Sequence, residues 1–141
     1  MLSQELFNKA IEASIKAAGA GAQVLLSALH YTDDELNIES KEDGTLVSKA
    51  DYASAKKISE ILRPLGIPMI SEEEQIPSFE ERKNWINYFL IDPLDGTKSF
   101  IKNRSGFAIN IALCDETGPV IGVVADPLSD TIYIGAKGQG F

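Results

Sequence analysis

"LIDPLDGTKSF", Leu90 to Phe100, decides how this chain is built. An apolar run stops at two aspartates three residues apart, with Pro93 between them and Gly96-Thr97 behind. A strand ending in a turn can aim the Asp92 and Asp95 carboxylates and the Leu94 carbonyl at a common point. Such an oxygen-only donor set suits Mg²⁺, which keeps some of its waters and takes only a few protein carboxylates. Pro93 removes a backbone donor and stiffens the turn. Gly96 lets the chain approach a ligand closely. Thr97 is placed to cap a short helix, "KSFIKN", whose free N–H groups would meet an anion.

Outward from this stretch the chain divides into helices first and strands after. Ser3 to about His30 reads as one helix, because Leu6, Phe7, Ala10, Ile11, Ala17, Ala18, Val24, Leu25 and Leu29 recur at three and four, with Ser3 at the cap position. Gly19 and Gly21 weaken its middle or admit close packing there. The polar connection "YTDDELNIESKEDGT" leads to a second helix from about Ala50 to Arg63, with Pro64 near its end. Then come "IPMIS", a polar stretch "SEEEQIPSFEERKN" with one short helical turn, and the strand-like runs "INYFLI", "FAINIALCD", "PVIGVVAD" and "TIYIGAK". Asp115-Glu116-Thr117-Gly118 reads as a hairpin turn, and Pro127, Ser129 and Asp130 mark another. The expectation is an α+β fold in a single domain: two N-terminal helices packed on a largely antiparallel sheet. The last residues, "GAKGQGF", run off a strand with no stop signal and leave an open edge, so the chain reads as unfinished.

Composition limits the function classes. With 141 residues, 44% of them hydrophobic, the chain can build one core. No apolar run approaches the roughly 20 residues of a membrane span. The N-terminal "LSQELFNKAIEASIKAAG" has Glu5 and Glu12 where a signal peptide would be basic and then apolar. Cys114 is the single cysteine, so no internal disulfide is possible and a cytoplasmic location is expected. It reads as a small buried residue. A formal charge of -8 argues against a nucleic-acid footprint. Acidity serves solubility, the simpler reading, or it gathers carboxylates around a hard cation; the Asp92/Asp95 pair taken alone reads as a solvated turn, and only further acidic motifs in register favour the cation. Trp85, Phe89, Phe107 and Tyr133 read as core or strand-face residues, and His30 as a residue at a helix end.

Three motifs are excluded. A P-loop needs Gly-Lys-Ser/Thr, whereas here Lys98-Ser99 follows Thr97. An EF-hand loop counted from Asp92 would need glycine at Thr97 and glutamate at Asn103. A haloacid-dehalogenase-type phosphatase has its two aspartates two apart before Gly-Thr, and here they are three apart.

"DPLDGTKSF" resembles the signature of the inositol monophosphatase superfamily of Mg²⁺-dependent, lithium-sensitive phosphatases. "VSKAD" (Val47 to Asp51) looks like its first acidic motif and "ISEE" (Ile70 to Glu73) like its glutamate motif, in the order required. "FAINIAL", "VIGVVADP" and "GAKGQGF" match the continuation of its sheet, so the resemblance covers nearly the whole chain. It implies the N-terminal half of a sugar-phosphatase-type fold, carrying a metal- and phosphate-binding domain over residues 1–141. By the same resemblance Glu72, Asp92 and the Leu94 carbonyl would hold one Mg²⁺. Asp92 would bridge to a second, with Asp95 as its other ligand, and the complete enzyme would use two or three ions. Thr97 and Asp51 would form a hydrogen-bonded pair that orients and deprotonates the metal-bound water, making Asp51, Thr97 and Glu72 the catalytic set. Gly96, Thr97 and Lys41 would bind substrate. Taken singly, Lys41 and Lys98 read as surface lysines, and in Glu72-Glu73-Glu74 a role falls to Glu72 first and to Glu73 second, with Glu74 a charged loop residue.

Within the superfamily the chain leans towards the 3'(2'),5'-bisphosphate nucleotidases, which read Asp-Gly-Thr-Lys, an acidic residue, then Phe-Ile. Lys98, Phe100 and Ile101 agree, and Ser99 departs. Lys41, ten residues before Asp51, is placed as in that branch. The expected substrate is 3'-phosphoadenosine 5'-phosphate, in sulfur assimilation. The alternatives are an inositol-1-monophosphatase type or a non-catalytic metal-binding remnant. Family members run to about twice this length, and their second half supplies an aspartate that completes the second metal site.

Overall fold

The structure is a computed structural model that describes residues 1–140. Phe141, the last residue of the "GAKGQGF" match, lies outside the described residues. Helix α1 spans Gln4–Ala28, with Ser3 as N-cap accepting from the Leu6 N–H. It stops short of His30, which falls in the following turn. The polar connection is more structured than its composition suggests. It holds a short helix α2 (Asp33–Leu36), capped reciprocally by Thr32 and Glu35, and a two-stranded ladder of β1 (Glu39–Ser40) and β2 (Leu46–Val47). Leu36 explains the helix, since it is fully buried and needs a turn to deliver it to the core. Helix α3 (Lys49–Leu62) follows, closed by a 3₁₀ turn over Arg63–Leu65 that accommodates Pro64.

Five strands form the main sheet, β3 (Met69–Ser71), β4 (Tyr88–Asp95), β5 (Ala108–Asp115), β6 (Gly118–Asp126) and β7 (Thr131–Ala136), ordered as in the chain. Between them lie α4 (Phe79–Arg82) and α5 (Thr97–Asn103). The β4–β5, β5–β6 and β6–β7 pairs are antiparallel and β3–β4 is parallel, so the expected largely antiparallel α+β arrangement holds. Strict alternation sends Phe89, Ile91, Ile109, Ile111, Leu113, Ile121, Val123 and Ala125 into one buried layer under the helices. Helix α1 lies against β5, β6 and β7, and α3 against α1 and β4. Phe89 and Phe107 are core residues as expected, whereas Tyr133 is 56% exposed on the edge strand β7. Cys114 is buried. Among the described residues no helix is long and apolar enough to cross a membrane.

The two helical glycines are not equivalent. A Cβ on Gly21 would come within 2.9 Å of Ile109 Cδ1 and 3.0 Å of both Ile58 Cδ1 and Ser54 Oγ, whereas one on Gly19 would meet only Ile132 Cδ1 at 3.9 Å. Gly21 is where α1 and α3 close over the sheet. Alanine favours a helix by about 1 kcal/mol over glycine, so Gly19→Ala should stabilise by up to that amount. Gly21→Ala should destabilise by about 1–3 kcal/mol through overpacking, despite the same helix gain. Urea unfolding of the two variants checks the opposite signs.

Candidate functional site

The site begins with an irregularity in β4. Asp92 lies opposite Asn110 and Asp95 opposite Ala108, so β4 spends three steps where β5 spends two. In a regular strand residues three apart point to opposite faces; one extra residue restores Asp92 and Asp95 to the same face. Pro93 and Leu94, between them, are buried. Pro93 has no N–H to leave unpaired, and its carbonyl accepts from the buried Ser54 hydroxyl of α3 at 2.7 Å. The expected turn is therefore a bulge inside the strand, and the turn proper falls at Gly96.

Gly96 has φ +89, and a Cβ there would stand 2.5 Å from the Gly106 carbonyl oxygen. Glycine is required by the backbone and by its neighbour, beyond any approach to a ligand. Gly96 itself is the N-cap of α5. Thr97 does not cap the helix as expected; its hydroxyl is occupied elsewhere. It donates to Asp51 Oδ1 at 2.8 Å, with the Leu94 carbonyl 3.2 Å away.

Asp51 is fully buried at the start of α3. Its other oxygen accepts from the Ser48 N–H at 2.8 Å and the Ser48 hydroxyl at 2.7 Å, in a capping box that fixes the helix start. Burial pushes the Asp51 pKa up, while the Ser48 and Thr97 hydrogen bonds pull against it. The result is a carboxylate held rigidly, with a higher proton affinity than an exposed aspartate.

Glu72 arrives through the parallel ladder. Ser71 pairs with Ile91, and the Glu72 N–H donates to the Ile91 carbonyl at 3.1 Å, so the next residues along, Glu72 and Asp92, stand side by side. The Asp92 pKa is pushed up to about 7, by burial first, then by the Glu72 carboxylate beside it and the Asp95 charge, with the Leu94 N–H opposing. Asp95 Oδ2 is steadied by the Asn110 amide at 3.0 Å. Lys41 reaches in from the β1–β2 ladder. Its ammonium is 3.0 Å from Glu73, whose side chain is 3% exposed, and 3.8 Å from Glu72. Burial lowers the Lys41 pKa, but Glu73, Glu72 and Asp51 outweigh it and leave it raised.

Asp51, Glu72, Asp92, Leu94, Asp95, Gly96, Thr97 and Lys41 thus fall in one neighbourhood beside the β3–β4 edge. Among the described residues no three acidic, histidine or cysteine side chains close on a single point. The fit to a cation is with pairs of carboxylates, Glu72 with Asp92 and Asp92 with Asp95, completed by a carbonyl and water, as a small hard ion accepts. A raised Asp92 proton affinity is what a carboxylate pair shows before a cation offsets it. Sequence reading missed Ser48, Ser54 and Asn110. Only Ser48 had a local signal, the Ser-x-x-Asp capping pattern in "VSKAD".

Comparison with known proteins identifies the family and the fold. Residues 7–141 match the inositol monophosphatase family. A "3'(2'),5'-bisphosphate nucleotidase CysQ" of Shigella flexneri is 43% identical over 108 residues, 75% of this chain and 44% of that protein. The protein of the same name from Salmonella typhimurium is 45% identical over 103 residues, 72% of this chain and 42% of that protein. The chain therefore spans less than half the length of these curated relatives. Among solved structures, CysQ from Bacteroides thetaiotaomicron, described as a bacterial member of the inositol monophosphatase family, superposes with a TM-score of 0.82 at 32% identity, covering 95% of this chain and 48% of that one. The extragenic suppressor protein suhB of Bartonella henselae gives 0.76 at 26% identity, covering 92% and 48%. With its bulged Asp92–Asp95 pair, its Asp51–Thr97 bond and a family match over almost its whole length, the chain belongs to the inositol monophosphatase family.

Proposed function

We propose that the chain is the metal- and phosphate-binding part of a Mg²⁺-dependent phosphomonoesterase of the 3'(2'),5'-bisphosphate nucleotidase type. The observation that carries this reading is the 2.8 Å bond from Thr97 to buried Asp51, set beside two carboxylates forced onto one face by the β4 bulge. The Mg²⁺ ligands are Glu72, Asp92, the Leu94 carbonyl and Asp95. When bound, the ions lower the pKa of water, neutralise the phosphate and stabilise the leaving alkoxide. Thr97 donates its hydroxyl hydrogen bond to Asp51, which leaves its own lone pairs free to accept from a water. As that water attacks phosphorus, its proton passes to Thr97 and the Thr97 proton passes to Asp51. The ester P–O bond breaks and the alkoxide takes a proton from solvent. Burial of Asp51 favours this transfer, and the Ser48 bonds keep its carboxylate aimed. Gly96 and Thr97 present the backbone to the phosphate, and Lys41 adds positive charge for it.

The nucleotidase branch is supported by Lys41 and Lys98 and by the names of the relatives at 42–45% identity. The site is a small-molecule site, and a cytoplasmic location follows from the reading of Cys114. The length that the relatives have beyond this match is proposed to supply one more metal-ligating aspartate and to close over the substrate.

Asp92 supplies a test that separates binding from stability. Its folded-state pKa of about 7 lies above the 3.8 of an ordinary aspartate, so the native state holds a proton that the unfolded chain gives up. Without cation, stability is therefore lost as pH rises through that window. Asp92→Asn removes this loss, so its melting temperature without cation should exceed wild type at pH 8 and match it near pH 4. Calorimetric Mg²⁺ affinity should fall by about tenfold or more in the same variant, since even outer partners of a metal are worth that much. Equal Mg²⁺ binding by both proteins removes Asp92 from the ligand set.

For activity, the 141-residue chain alone should release phosphate very weakly. An under-held cation and an open site each weaken transition-state electrostatics, where about 3–4 kcal/mol already costs a hundredfold or more. A version of the relatives' length should hydrolyse 3'-phosphoadenosine 5'-phosphate in Mg²⁺ and be inhibited by Li⁺. Thr97→Ala in that version should lower kcat by about a hundredfold or more with KM little changed. Faster cleavage of inositol monophosphate than of the nucleotide would move the protein to the other branch, and robust turnover by the short chain would remove the need for the added half.

A further inference from the structure

We propose that Arg104 is a positioning residue: it clamps helix α5 to the α1–α2 connection and so holds Thr97 in bonding reach of Asp51. The inference rests on the role given above to the Gly96–Thr97 turn.

Arg104 is the C-cap of α5 in the left-handed conformation, φ +53. That position normally takes glycine, because a Cβ is strained there. An arginine in it points to a use for the side chain. The guanidinium has one. Its Nη1 donates to the Phe100 carbonyl at 3.1 Å and the Ile101 carbonyl at 2.6 Å, on the open end of α5. Its Nη2 donates to the Tyr31 carbonyl at 2.8 Å and to Asp33 Oδ1 at 3.2 Å, across to the segment joining α1 and α2. The plane also lies 5.7 Å from the Phe100 ring centroid. One rigid fork therefore joins elements more than 70 residues apart in sequence.

Helix α5 needs such an anchor. It has seven residues, too few to hold itself together. Its N-cap is a glycine, which has no side chain to bond the free N–H groups, and the Thr97 hydroxyl is bonded to Asp51 instead. Glycines with positive φ flank the segment, Gly96 and Gly106, and both are natural pivots. Apart from the clamp, α5 is seated by the buried Phe100, stacked edge-on to Phe107 at 4.9 Å, by Ile101 against the core and by its contact with β2. Asp51 sits on α3, which is fixed independently by its capping box and by α1. A hydrogen bond between a fixed helix and a pivoting one lasts only as long as the pivot is locked. Arg104 locks it from the far end.

The test compares R104G, which removes the clamp and relieves the left-handed strain so that the chain still folds, with R104K, which keeps the charge but not the fork. Amide hydrogen exchange is read over Thr97–Asn103 and over Lys49–Leu62, and binding of inorganic phosphate is measured in saturating Mg²⁺. Exchange over Thr97–Asn103 should rise about tenfold in both variants, the scale of one lost charge-assisted hydrogen bond, with Lys49–Leu62 unchanged. Phosphate affinity should fall by a similar factor. Unchanged protection in R104G, an equal rise over Lys49–Leu62, or full rescue by R104K would each overturn the proposal, leaving Arg104 a plain charge or a global support. Absence of phosphate binding by the wild type would instead count against the functional reading, while the exchange data still decide the clamp.

Discussion

Between Asp92 and Asp95, β4 contains one residue more than the strand it pairs with, and the site is organised around that surplus. Without it the two carboxylates would point to opposite faces, one of them into a layer of isoleucine, leucine and phenylalanine side chains. The bulge also determines what lies between them. Pro93 brings no donor to an interrupted ladder, Leu94 fills the core, and the two free carbonyls are taken up by α3 and left near Thr97 respectively. Ser54, fully buried, ties the bulge to the same helix that carries Asp51, so the irregularity in the sheet and the aspartate on the helix are fixed relative to each other. An irregularity in a strand thus becomes the reference for three elements.

The local electrostatics run against stability. Asp92 is crowded by Glu72 and Asp95, and Asp51 is taken out of water altogether. Each is handled differently. Asp51 has three hydrogen-bond donors and needs no counter-charge nearby. Asp95 is exposed and shares the Asn110 amide. Glu73, almost fully buried, has Lys41. Asp92 is left with only a weak 3.3 Å contact to the Leu94 N–H, and its pKa is pushed up to about 7. The imbalance is concentrated on the one carboxylate that adjoins both others, which is the place where a cation would remove most of it.

Much of this was legible in the sequence, for physical reasons that differ by element. The strands and both long helices follow from hydrophobic period, and Asp92, Asp95 and Gly96 from the punctuation at the end of an apolar run. The residues in the "YTDDELNIESKEDGT" connection were read as polar coil because the one apolar residue that matters, Leu36, carries no periodicity alone. Thr97 was read as a helix cap by local rules. Its actual partner is 46 residues away, and local rules do not see it. Glu72 beside Asp92 depends on the parallel register of β3 on β4, and Asn110 beside Asp95 on the bulge. Neither register is written in either strand by itself. Arg104 was invisible for the same reason: its partners Tyr31 and Asp33 belong to another part of the chain.

The remaining constraint is the division of the sheet into two faces. Along β4, Phe89 and Ile91 go to the helix-covered layer, while Leu90 and Asp92 go to the other side. Across the sheet, Asp92, Asn110, Val124 and Tyr133 stand in one row, one from each of β4 to β7, from the acidic cluster to the exposed edge. Period-two alternation therefore separates stability from chemistry residue by residue. The covered face is already close-packed, with α1 pressed so near that Gly21 has no room for a methyl group, and it fixes the strand register. The open face takes its geometry from that register without contributing to the core. Side chains there can be charged, small or absent, as Asp92, Ala112 and Gly122 are, because nothing in the folding of this chain depends on filling the space above them.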